Sequence, residues 1–94
     1  MIKSFNCKET KKLFHRETTK KWSSGIKKFG RRKLLIIDAA TILIDLKVPP
    51  GNELENLKGN RKGQHSIRIN KQWRICFKWK NGDAYNVEIV DNHH

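Results

Sequence analysis

The sequence predicts an α+β domain: two N-terminal helices packed on one face of a small, mainly antiparallel twisted sheet, with the other face open. Three observations carry this. Apolar residues alternate with polar ones in three consecutive runs between Ile67 and Ile89, which is the period of half-buried strands. Upstream, across residues 31–47, apolar residues recur at three- and four-residue spacing, the period of a helix with one buried face. A chain of 94 residues has room for one core, so residues 1–94 form a single domain with a shallow surface site rather than an enclosed one.

Taken in order, Ile2 and Phe5 make the opening a short strand or edge segment. A first helix is expected from about Glu9, with Leu13, Phe14 and the later Trp22 as a narrow apolar stripe. Trp22 reads as a core anchor rather than a base-stacking platform. Ser23-Ser24-Gly25 breaks that pattern. The second helix is expected over residues 31–47, burying Leu35, Ala39, Ile42, Leu43 and Leu46, with Ile36, Ala40 and Ile44 widening the stripe. Val48-Pro49-Pro50-Gly51 ends it, because proline lacks an amide donor and biases its predecessor away from helix. Residues 52–60 connect to the sheet.

The strands follow as Ile67 and Ile69, then Trp73, Ile75, Phe77 and Trp79, then Tyr85, Val87 and Ile89. Asn81-Gly82 tolerates positive φ and predicts a tight hairpin, and Asn70-Lys71-Gln72 a second one. By parity, Arg68, Arg74, Lys78, Asn86 and Glu88 project from the face opposite the core. Alternation alone reads that face either as a solvated basic surface or as a ligand-binding one.

Lys plus Arg number 21 against 9 Asp plus Glu, a formal charge of +12. Such an excess attracts polyanions, and nucleic acid is favoured over an anionic membrane. No apolar run is long enough to span a bilayer, and the cations do not gather on one amphipathic helix. Lys27, Lys28, Arg31, Arg32 and Lys33 form a basic cluster that reads equally as a phosphate-binding patch and as a solvated loop and helix start. Cys7 and Cys76 are far apart without a CxxC pair, so no zinc site is expected and Cys76 reads as a small buried filler. The opening MIKSFNCKETKK has no secretory apolar core, so the cytoplasm is the expected location.

The run LKGNRKGQHSIRINKQWRICFKW, followed by GDAYNVEIVDNHH and preceded by VPPGNELENLKG, resembles the HigB-type toxins, or plasmid-maintenance killer proteins, of the RelE/ParE superfamily. The similarity covers residues 48–93, and the first five residues also resemble the family's opening. The resemblance implies a type II toxin that enters the ribosomal A site and cuts translated mRNA. A HigA-type helix-turn-helix antitoxin would neutralise it. It implies no metal and no small-molecule cofactor: a ribose 2′-OH attacks the neighbouring phosphate, leaving a cyclic phosphate and a free 5′-OH.

That reaction needs a proton acceptor, a stabiliser of phosphorane charge and a proton donor. Arg74 matches the family's strand arginine in QWRICF, and a planar guanidinium suits phosphate oxygens. Lys58 matches the LKG lysine, a second clamp or a proton donor. His93 matches the near-terminal histidine, which titrates close to neutrality, and Asp91 the acid two positions before it. Contacts to RNA and ribosome are expected from Lys27, Lys28, Arg31, Arg32, Arg61, Lys62, His65, Arg68, Lys78 and Asn92. The chain departs from the pattern at Asn92 and His65, where many relatives carry tyrosine, and some relatives place a histidine near the position of Glu55, which here is an acid. The other class to weigh is a non-catalytic inhibitor of the ParE type, which poisons DNA gyrase.

Overall fold

A computed structural model describes residues 1–91. Asn92, His93 and His94 lie outside the described residues, and so do the expectations placed on Asn92 and His93. Helices α1 (Lys8–Phe14) and α2 (Ser24–Ala39) precede strands β1 (Glu55–Asn56), β2 (His65–Arg68), β3 (Trp73–Lys80) and β4 (Asp83–Asp91). The strands pair antiparallel in the order β1-β2-β3-β4. The expected meander is therefore present, lengthened by β1, a two-residue strand inside the stretch read as a connector. Beyond β4, the opening segment bridges in parallel at Ile2 with Ala84 and at Phe5 with Val87, covering that edge of the sheet.

Both helices lie on the face bearing Ile67, Ile75, Phe77, Val87 and Ile89, and the core forms between them. Gly30 of α2 is buried against the sheet. A methyl group there would meet the Cδ1 atoms of Ile69 and Ile89, each at 3.4 Å.

The helix boundaries correct the sequence reading. Ser23 is not a breaker but an N-cap, its Oγ accepting from the Ile26 amide at 3.4 Å, so α2 begins seven residues before the expected start at Arg31. The helix also ends early, at Ala39. Ala40 turns extended, and the Asp45 carboxylate accepts from the amides of Thr41 and Ile42, starting a separate 3-10 turn over Leu43–Lys47. The phase shifts with the boundaries. Leu34 and Ile37 are fully buried, whereas Leu35, Ile42 and Ile44 are exposed. The first helix is also shorter than its stripe suggested: it stops at Phe14, and Trp22 reaches the core from the following loop.

The chain after α2 is tied down by polar groups. Asn52 is fully buried, donates to the Leu46 and Val48 carbonyls at 3.2 Å each, and accepts from the Lys33 ammonium. Burial holds that ammonium below the usual lysine range, and the nearby Arg32 charge acts in the same direction. Thr41 in turn presses on the β3–β4 turn. Gly82 has φ 82°, and a Cβ there would stand 3.1 Å from the Thr41 carbonyl oxygen. Gly82→Ala should thus lower unfolding free energy by more than about 1 kcal/mol in urea titrations, since strain and crowding add. An unchanged midpoint would mean that the turn relaxes freely.

In β4 the alternation does not run through. Cys76 pairs with Glu88 but Lys78 pairs with Tyr85, so one extra residue is accommodated in β4, where Asn86 adopts φ 55°. This bulge reverses the parity of the strand's first half. Ala84 faces the core fully buried, and Tyr85 comes to the open face beside Lys78. Asn86 itself leaves the expected row: its amide donates to Ser4 Oγ at 2.8 Å, and its side-chain oxygen accepts from the same hydroxyl.

Candidate active site

On the sheet face away from the helices, a cleft of about 400 Å³ opens over β3 and β4. Its lining combines Arg74 and Cys76 of β3 with Ser66 of β2, Val90 and Asp91 of β4, and Leu57, Lys58, Asn60 and Arg61 of the segment between β1 and β2. Three of the four residues on which the resemblance places the chemistry, Lys58, Arg74 and Asp91, thus share one cavity; the fourth, His93, follows Asp91 by two positions beyond the described residues.

Arg74 lies on the expected face but not openly upon it: it is only 5% exposed. Its Nε donates to Ser66 Oγ at 2.8 Å, and its Nη2 to the Glu53 carbonyl at 2.5 Å and the Ser66 carbonyl at 3.4 Å. The Glu55 carboxylate stands 3.8 Å from the same nitrogen. Nη1 makes no hydrogen bond among the described residues. Burial here is polar, so the guanidinium is gripped along one edge rather than sealed in hydrocarbon.

Arg68 lies directly across from Arg74 in the β2–β3 register, a juxtaposition of like charges that would be unfavourable alone. Glu53 resolves it by serving both, its carboxylate accepting from Arg68 at 3.0 Å and its carbonyl from Arg74. Glu53 has φ 45°, the left-handed turn that brings β1 alongside. Glu55 is therefore a neighbour of the buried arginine.

Arg61 reaches over the cleft to Glu88, its Nη1 donating to Glu88 Oε2 at 3.3 Å and to Gln64 Oε1 at 3.1 Å. Glu88 also accepts from Asn6 Nδ2 at 2.8 Å. This tether fixes the Gly59–Arg61 turn, which starts immediately after exposed Lys58, against β4. Parity placed Glu88 on this face but gave no reason for it; the ion pair supplies one. Asp91 accepts from Gln72 Nε2 at 3.1 Å at the rim. Cys76 is buried as expected, and burial pushes its thiol above the usual range, with Arg61 opposing.

Of the other expected contacts, Lys62 is exposed beside the Gly59–Arg61 turn. Lys78 is exposed on the cleft face, one step along β3 from Cys76, in a second depression. His65 does not join the cleft. It pairs with Phe77 in the β2–β3 register, rests its ring 6.0 Å from that of Phe77, and places Nδ1 2.7 Å from Asn56 Oδ1. An amide oxygen only accepts, so the tautomer with hydrogen on Nδ1 is the one that bonds.

Burial holds the His65 imidazole below its usual range. The unfolded chain therefore takes up this proton at a higher pH than the folded one. The stability involved is present above the ordinary histidine pKa of about 6.5 and is lost as pH falls through it toward the depressed folded value. His65→Gln should flatten the acid-side fall of the urea midpoint; an equal fall in variant and parent would assign it to other groups.

Lys27, Lys28, Arg31 and Arg32 lie on α2, hence on the opposite side of the sheet from the cleft. Lys28, Arg31 and Arg32 line a groove of about 400 Å³ with Arg16 and Leu35, while Lys27 is tied to the Thr19 carbonyl at 3.2 Å.

A model of RelE-like toxins of the type II toxin–antitoxin system HigB matches residues 3–93 of this chain. The chain belongs to the HigB-like toxin family. Over 58 residues it is 56% identical to Toxin HigB-1 of Vibrio cholerae, a match covering 62% of this chain and 61% of that protein. It is 38% identical over 93 residues to Endoribonuclease HigB of Proteus vulgaris, covering 99% and 100% of the two chains. The fold resembles that of a chain in the YoeB–YefM complex from Staphylococcus aureus (TM-score 0.58, 16% identity, covering 100% of this chain and 99% of that one). It equally resembles YafQ from Escherichia coli (TM-score 0.58, 13% identity, covering 98% and 94%). The two helices on a four-stranded antiparallel sheet are thus the RelE-like arrangement. Membership in this family makes the chain the toxin half of a type II pair, with an antitoxin as partner. Among the described residues, no helix of this HigB-like toxin is long and apolar enough to cross a membrane.

Proposed function

We propose that this HigB-like toxin cuts translated mRNA in the ribosomal A site by metal-independent attack of a ribose 2′-OH on the adjacent phosphate. Endoribonuclease activity accords with family membership and with the full-length Proteus vulgaris relative that carries that name. The observation that carries the reading is the gathering of Lys58, Arg74 and Asp91 around one cleft on the uncovered face of the sheet.

Arg74 is held along its Nε and Nη2 edges by Ser66 and Glu53, which leaves Nη1 for a phosphate oxygen. A donor fixed in advance stabilises developing phosphorane charge without reorganising during the reaction. Lys58 supplies a second cation above it, as a clamp or as the donor to the 5′ oxygen. An imidazole suits proton transfer at cellular pH, so that role falls to His93, with Asp91 to orient it or to accept the proton itself. The antitoxin in this reading is a HigA-type helix-turn-helix protein.

Lys28, Arg31 and Arg32, with Lys27, serve ribosome docking from the helix side rather than chemistry. Neutralising these four should reduce the salt dependence of ribosome binding, by about 0.7–0.9 in log–log slope for each phosphate left without its cation, with little change in cleavage at saturation. An unchanged slope would remove the patch from the interface. The cleavage reading itself is tested by mapping message ends on programmed ribosomes. Uncut message with toxin still bound, or gyrase-dependent DNA breaks instead, would overturn it.

A further inference from the structure

We infer that Tyr85, with Lys78 and Lys80, forms a stacking subsite for a neighbouring nucleotide of the RNA strand whose phosphate occupies the cleft. The inference rests on the proposed endonuclease reading and extends it along the sheet.

A second depression, of about 430 Å³, is lined by Gly63, Lys78, Trp79, Lys80 and Tyr85. Its aromatic content is produced by the bulge at Asn86. Without the extra residue, regular alternation would send Tyr85 to the core side; with it, Tyr85 pairs with Lys78 and shares its face. A bulge interrupts hydrogen bonding along a ladder, and bulges beside functional sites re-aim a side chain. Here the re-aimed group is an aromatic ring set beside two cations. Trp79, paired with core-facing Ala84, turns its ring to the core side 6.3 Å from Phe77, and Gly63 adds no side chain to the depression.

Two elements run from the cleft to this depression. Arg74, Cys76 and Lys78 follow one another along the same face of β3, so Lys78 lies about 13 Å from Arg74, a short reach for single-stranded RNA. The segment after Lys58 borders both, through Asn60 and Arg61 on one side and Gly63 on the other. Aromatic faces beside cations suit bases linked by phosphates, since stacking tolerates any base and the cations answer the backbone. A chain of net charge +12 adds long-range attraction of the same sign.

The test uses intact toxin and ribosomes programmed with messages in which one abasic nucleotide is walked outward from the cut. At one position, loss of the base should lower wild-type kcat/KM about tenfold. Tyr85→Leu should show that loss on unmodified message, and no further loss at the abasic position. Tyr85→Phe should cut like wild type. Lys78→Gln, a change at an exposed side chain, should lower the salt slope of the same reaction by about 0.7. The subsite is overturned if no abasic position matters, if Tyr85→Leu keeps its sensitivity to that position, or if Tyr85→Leu weakens antitoxin binding and leaves cleavage unchanged. Failure of wild type to cut ribosome-bound message would instead overturn the endonuclease reading, and this inference with it.

Discussion

Arg74→Ala should lower single-turnover cleavage on programmed ribosomes by about 10²–10³-fold, the usual consequence of removing one preorganised donor from a developing oxyanion. Ribosome affinity should change much less, because Arg74 is buried at the cleft floor and the cations assigned to docking lie on α2. The variant carries a structural cost as well. Removing the guanidinium strands the Ser66 hydroxyl and the Glu53 carbonyl, and an unsatisfied buried group costs about 1–3 kcal/mol. A urea midpoint measured alongside separates the two effects. Arg74→Lys sharpens the comparison, since an ammonium keeps the charge but cannot hold Ser66 and Glu53 along one edge while presenting a second edge to phosphate. Equal losses of binding and cleavage in Arg74→Ala would reduce the residue to a docking contact.

The second large effect is on stability. Leu34→Ala should cost about 2–5 kcal/mol, because Leu34 is fully buried between α2 and the sheet and its removal leaves a cavity. Leu35→Ala, one position along, should cost less than about 1 kcal/mol, since Leu35 is 41% exposed. Paired denaturant titrations measure both. Sequence periodicity assigns the burial the other way, so the pair decides which phase of α2 the folded protein uses. Similar costs at both positions would contradict the packing described.

The sheet and the two helices on one of its faces were legible, but the ends and the buried phase of the helices were not, for a physical reason. Strand alternation has a period of two, and Ile67, Ile75 and Phe77 fit it without ambiguity in a face that is packed on one side. The helix signal is weaker because residues 34–46 are apolar nearly throughout: Leu34-Leu35-Ile36-Ile37 offers four candidate stripes, and the choice among them is made by tertiary contact. The ends of α2 depend on side-chain hydrogen bonds, from Ser23 at its start and from Asp45 just past its end. Both residue types are visible in the sequence, but Ser23 there looks like a break and Asp45 does not stand out as a cap.

The site was legible to the extent that it follows strand parity. Arg74, Cys76 and Glu88 are on the face parity gives them, and the LKG lysine falls beside them. Parity assigns Tyr85 to the wrong face because a bulge carries no sequence period of its own; Asn86, a residue tolerant of positive φ, is the one available sign. His65 groups with the RNA contacts by its chemistry, but a histidine directly opposite buried Phe77 is drawn to the core side. The burial of Arg74 was not foreseeable from alternation, since it depends on Glu53 and Ser66, brought in from two other segments.

In the proposed reaction a buried, pre-gripped guanidinium and the side chains near the exit of β4 together cleave RNA by internal attack of a ribose hydroxyl. The most direct measurement is the end chemistry of message cut on ribosomes by the purified toxin, in buffer containing a chelator that still leaves enough magnesium to keep ribosomes assembled. A 2′,3′-cyclic phosphate upstream and a free 5′-OH downstream, both diminished together in Arg74→Ala, are the predicted products. Fragments carrying a 5′-phosphate and a free 3′-OH would contradict this mechanism, because water would then have been the nucleophile.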